Sequence, residues 1–118
     1  MAGIYGKIDS REAFYRVLGE ARESVLGILT QWPEDGTMQL IFEELDAMRR
    51  WCEGGREPSD NQRGSINVGL IAARDLSKAK GKTGELVQKL FALNNYFEDW
   101  PTDAEAASAK DENFTIAK

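Results

Sequence analysis

Gly81-Lys82-Thr83 has the ending of a phosphate-binding loop, in which backbone N–H groups cradle phosphate and the lysine reaches its outer oxygens. Such a loop also needs a glycine five positions before Gly81; Leu76 stands there, and no buried strand leads into it. Nucleotide chemistry is therefore not expected. Histidine is absent, so no imidazole can activate a nucleophile. The lone cysteine, Cys52, continues an apolar stripe of Met38, Ile41, Leu45 and Met48, an environment that keeps a thiol neutral and packed. Glu43-Glu44 and Glu98-Asp99 are adjacent carboxylates, and neighbours in sequence on a helix do not face each other, so neither pair reads as an acid–base dyad. One cysteine and no histidine also argue against a disulfide framework and a zinc site. The expectation is a protein that is not an enzyme and uses no cofactor or metal.

Binding is what remains, and the run from Trp32 to Glu53 is where the residues point to it. One face of this segment is the stripe ending at Cys52; off it lie Glu43, Glu44, Asp46 and Arg50. Glu34 and Asp35 sit in the turn before it, and Trp51 lies on its flank with Leu40, Glu44 and Ala47. These seven positions, Glu34, Asp35, Glu43, Glu44, Asp46, Arg50 and Trp51, form the expected partner-binding surface, with Trp51 as its aromatic anchor. Residues 32–58 hold seven acidic and three basic groups, and 84–118 the same, while 59–83 hold five basic and two acidic. The net charge of −5 disfavours nonspecific nucleic-acid binding, which needs clustered Lys and Arg to displace counterions, and makes a basic partner the more natural one.

The elements that must carry this surface are helical. Phe14, Leu18, Ala21, Val25 and Ile28 recur at alternating spacings of four and three, which predicts a helix from about Ser10 to Gln31, opened by an Asp9–Glu12 capping box and ended by Pro33. Thr37 is the expected N-cap of a second helix that Gly54-Gly55 terminates. Ser59 and Gln62 form a further capping box opening a third helix through Ile66, Leu70, Ala73 and Leu76, in which Gly64 and Gly69 suggest close backbone packing. A polar, glycine-rich loop from Ser77 to Gly84 precedes a fourth helix through Leu86, Leu90, Leu93 and Phe97, closed by Trp100-Pro101. Trp32 and Trp100 are expected to staple the ends of the core. The predicted fold is all-α, a compact antiparallel four-helix bundle over residues 1–100, with a mobile or partly helical tail over 101–118. Nothing approaches the roughly 20 apolar residues of a membrane span and no signal peptide opens the chain, so a cytoplasmic protein is expected.

The order of features resembles the small all-helical immunity proteins of bacterial type VI secretion, typified by the one that neutralises an NAD(P)-degrading toxin. The resemblance spans about Val25 to Phe97, on Leu29, Trp32-Pro33, Leu45, Met48-Arg49, the Gly69-Leu70-Ile71-Ala72-Ala73 run and Leu86 through Phe97. It implies a cytoplasmic protein, monomer or weak homodimer, that binds a cognate toxin domain and blocks its active site by occlusion, with no nucleic acid or membrane involved. A secretion chaperone or adaptor holding an effector segment suits the same size, acidity and helicity; it would need an exposed apolar groove.

Overall fold

Stripe and cap together fix the first helix, α1 (Arg11–Gln31), in the computed structural model, which describes residues 5–76 and 82–108. Ala13, Phe14, Val17, Leu18, Ala21 and Val25 are its buried face. The cap is Ser10 rather than the expected Asp9–Glu12 box: its Oγ accepts from the Ala13 N–H at 3.1 Å, because a hydroxyl one residue later reaches the orphan donor first. A turn at Trp32–Asp35 leads into α2 (Gly36–Trp51), whose N-cap is Asp35, with Oδ1 3.0 Å from the Met38 N–H. Thr37 was the expected cap; it lies inside the helix, and Asp35 takes the capping role. All five stripe residues from Met38 to Cys52 are buried. Past α2 the chain makes a short 3-10 turn (Glu53–Gly55), with Gly54 at φ 70° and Gly55 at φ 83°, where a side chain would be strained.

The third expected helix is two. The Ser59–Gln62 capping box forms in full and opens α3 (Asp60–Gly64), but the chain then breaks and restarts as α4 (Val68–Asp75). The reason lies across the fold. Asn67 provides no side-chain cap, and the Glu44 carboxylate of α2 accepts from the Asn67 N–H at 2.6 Å, so α4 begins where a neighbouring helix offers an acceptor. The break also shifts the buried phase: Val68, Gly69, Ile71 and Ala72 face inward, while Leu70, expected on the core stripe, is 63% exposed.

Helix α5 (Lys82–Asp99) buries Leu86, Leu90, Leu93, Tyr96 and Phe97. Most of the Ser77 to Gly84 loop lies outside the described residues, as do Lys78, Lys80 and Gly81. Helix α1 packs on α2 and α5, and α4 packs on the same two. Helices α1 and α5 run in opposite directions, as Glu20 pairs with Lys89 and Arg11 bonds Tyr96 between them, and α4 joins α2 through Asn67–Glu44. The molecule is all-α, with no strand among the described residues.

An aromatic cluster closes the end where α1 begins and α5 finishes. Phe14 stacks on Tyr96 at 5.0 Å, and Trp100 meets Phe14 and Phe97 edge-on at 5.4 and 5.7 Å. Trp100 adopts φ 44°, a left-handed conformation that a bulky residue avoids unless its ring packing outweighs the strain. Arg11 covers the cluster: its guanidinium carbon lies 3.8 Å from the Trp100 ring centroid, its Nε donates to Tyr96 at 2.8 Å, and its Nη2 donates to the Pro101 carbonyl at 2.7 Å. The tail's start is therefore anchored. A helical turn over 103–108 buries Ala106, and Asp103 accepts from the Arg11 N–H at 2.7 Å. Residues 109–118 lie outside the described ones.

The two glycines of the expected third helix separate cleanly. A Cβ at Gly69 would meet Asn94 at 3.2 Å, and its N–H already donates to Asn94 Oδ1 at 2.8 Å, so close packing explains it. Around Gly64 nothing lies within 4 Å. Gly64→Ala should therefore raise the unfolding free energy by about 0.5–1 kcal/mol, read by urea denaturation, through helix propensity and a less mobile unfolded chain.

Candidate partner-binding surface

Each residue of the expected surface sits on α2 or the turn before it, but the fold puts them to different uses. Glu34 and Glu43 are exposed and form no ion pair among the described residues. Asp35 is spent as the N-cap of α2. Trp51 is half-buried, stacked on the core ring of Phe97 with centroids 6.3 Å apart, so its face is packing and only an edge is left for a partner. Glu44 turns toward α4, and Asp46 toward α1. No continuous acidic face results.

Burial pushes the Glu44 carboxyl above the ordinary glutamate range, outweighing the opposing hydrogen bonds from Asn67 and Val68. A raised carboxyl pKa means that the folded chain binds this proton more tightly than the unfolded chain does. By linkage, the Glu44 contribution to stability then falls as pH rises from the ordinary value, about 4.3, through the raised folded value, and is flat above it. Glu44→Gln keeps an acceptor for Asn67 and removes the titration. Subtracting the variant's unfolding free energy from the parent's, in urea series at stepped pH, should give a difference that declines across that interval.

Asp46 is the centre of a charge cluster. Its Oδ1 accepts from Arg22 Nη2 of α1 at 3.1 Å and from Arg49 Nη2 at 3.2 Å, and its Oδ2 lies 3.4 Å from Arg50 Nε. Three guanidiniums thus share one carboxylate, and the local balance is positive in an acidic chain. Arg22 also lies over Phe42, its guanidinium carbon 5.4 Å from the ring centroid, and this contact fixes its plane.

The residues around the cluster are the ones a protein interface favours. Tyr15 and Leu26, on the α1 side, are 38% and 44% exposed, and the Tyr15 hydroxyl donates to the Cys52 carbonyl at 2.9 Å, which holds the two helices in register. At the hairpin's tip Trp32 is 63% exposed, so it does not staple the core as expected; Pro33 turns the chain away at the point where the ring would have to fold back. That turn is held firmly. Trp32 N–H donates to Ile28 at 2.8 Å, Asp35 N–H to the Trp32 carbonyl at 3.1 Å, and Gln39 Nε2 to the Pro33 carbonyl at 2.7 Å. An exposed Trp on a fixed turn gives up little freedom on binding.

Sequence reasoning missed Tyr15, Arg22, Leu26, Arg49 and the exposure of Trp32. The three- and four-residue spacings of Asp46 to Arg49 and Arg50 were the available signal; Arg22 comes from another helix and had none.

Elsewhere, a cleft of about 600 Å³ lies between the segment before α1, α1 and α5. Lys7, Arg16 and Lys89 face Glu20 and Glu85 on its rim, and Glu20 pairs with Lys89 at 3.5 Å, so the charges largely offset and leave a single positive excess. Cys52 is fully buried and burial pushes its thiol up, as fits a packed, unreactive sulfur. Among the described residues no helix is long and apolar enough to cross a membrane. Comparison with family models, curated proteins and solved structures returns no match.

Proposed function

We propose that this chain is an immunity protein: it binds a cognate antibacterial toxin domain and blocks its active site by occlusion, doing no chemistry itself. The toxin class is the one the resemblance implies, an NAD(P)-degrading enzyme, and the place of action is the bacterial cytoplasm. The observation that carries the reading is the α1–α2 hairpin, which exposes Leu26 and Tyr15 on α1 and Trp32 at its tip and carries the Arg22, Arg49 and Arg50 cluster. Trp, Tyr and Arg are the residues in which interface energy concentrates, and a preformed two-helix ridge suits insertion over a cleft. Asp46 and Arg50 stay in the proposed surface; Glu34 and Glu43 border it; Glu44 and most of Trp51 belong to the fold.

Co-expression with the toxin domain encoded in the adjoining reading frame tests this. Growth should be rescued, and the purified pair should lose its NAD(P)-consuming activity as a stoichiometric complex. Persistent growth arrest, or NAD(P) consumption by this chain alone, would overturn the proposal. Capture of a linear effector segment in place of a folded domain would favour the secretion adaptor.

A further inference from the structure

We infer that Arg49 and Arg50, gathered with Arg22 around Asp46, receive a carboxylate of the protein partner, so that this part of the surface fits an acidic segment and not a basic one. The inference rests on the hairpin as the docking surface and names the chemistry of its contact.

Donors outnumber acceptors here by a wide margin. Each guanidinium carries five N–H groups, and a carboxylate offers about four lone-pair sites. Asp46 Oδ1 is already shared by Arg22 Nη2, Arg49 Nη2 at 3.2 Å and Arg49 Nε at 3.3 Å. Arg22 Nε has no hydrogen-bond partner among the described residues but is itself buried, so Arg22 orients Asp46 while the donors that face solvent belong to Arg49 and Arg50. The Arg49 and Arg50 side chains are 45% and 61% exposed, so their remaining donors are open to a second anion. A guanidinium fork matches a carboxylate bidentately, and a second carboxylate would carry further the neutralisation that Asp46 begins.

The surroundings select among anions. Glu43 and Glu53 are exposed on either side of the cluster along the chain, and the whole protein carries −5, which together repel a long polyanion such as nucleic acid more strongly than a short acidic peptide. Leu26, Tyr15 and half-buried Phe42 add apolar area beside the charges, which suits a polypeptide that brings its own side chains and not a free phosphate.

The test is an NMR titration of the intact chain, following the side-chain Nε–H resonances of Arg22, Arg49 and Arg50. The probes are N-acetylated, C-amidated hexaglutamate, inorganic phosphate, a twelve-nucleotide oligothymidylate and hexalysine. Hexaglutamate should shift Arg49 and Arg50 saturably, and about tenfold more tightly than phosphate or oligothymidylate, a difference of about 1.4 kcal/mol. Arg49→Gln with Arg50→Gln should abolish the response with the amide spectrum otherwise kept. Asp46→Asn, which frees donors, should tighten hexaglutamate binding about three- to tenfold. Arginine resonances unmoved by hexaglutamate, or oligothymidylate binding as tightly, would overturn the inference. If the arginine pair then proves dispensable while a toxin complex still needs Leu26 and Trp32, only the carboxylate contact is lost. A complex indifferent to Leu26 and Trp32 would remove the docking surface itself.

Discussion

Phe14→Ala should lower the unfolding free energy by about 3–5 kcal/mol, the usual cost of emptying a buried aromatic site, and lower Tm by about 10–20 °C. The ring is fully buried and touches Tyr96, Phe97, Trp100 and Tyr15, so the cavity would open in the middle of the aromatic cluster. Collapse is poor there, because Arg11 pins Trp100 and Tyr96 from outside and the Trp100 backbone already sits at φ 44°. Thermal melts by circular dichroism with urea titration give the number. A loss below about 1.5 kcal/mol would mean that the cluster is not the closing wall of the core.

Trp32→Ala should behave oppositely. Its ring is 63% exposed, so stability should change by no more than about 0.5 kcal/mol, as for surface substitutions generally. Partner affinity should fall by at least about 2 kcal/mol, roughly thirtyfold, which is the mark of an interface hot spot. The turn holds its shape through main-chain bonds and the Gln39–Pro33 contact, none of which uses the indole, so the variant isolates the side chain. Calorimetric titration against the proposed toxin partner, with a melt on the same sample, separates the two effects. Unchanged affinity would take Trp32 out of the surface.

These contrasts show where the residues spoke for themselves. The α2 stripe from Met38 to Cys52 and the Ser59–Gln62 box were legible because helical period and cap chemistry are local, and both form as expected. Glu44 and Asp46 were legible only as lying off that stripe. Their partners, Asn67 and Arg22, lie 23 and 24 residues away, and spacing along one helix does not say what stands across from it. Reversing their charges would thus disturb the α2–α4 and α1–α2 contacts as well as a docking surface. Leu70 was misphased for a related reason: the break before α4 reset the helical count, and the acceptor that causes the break belongs to α2. Trp32 illustrates a third limit. A Trp-Pro step marks a helix end, but the direction of the following turn decides whether the ring folds inward or stands in solvent.

The proposed function has the chain lay the α1–α2 hairpin against a folded partner. Amide hydrogen exchange on the chain alone and in complex with the proposed toxin partner is the decisive measurement. The account predicts new protection over 15–32 and 42–50, with α5 and the segment before α1 unchanged. Protection confined to α5 and residues 6–8, with the hairpin exchanging as in the free chain, would contradict it.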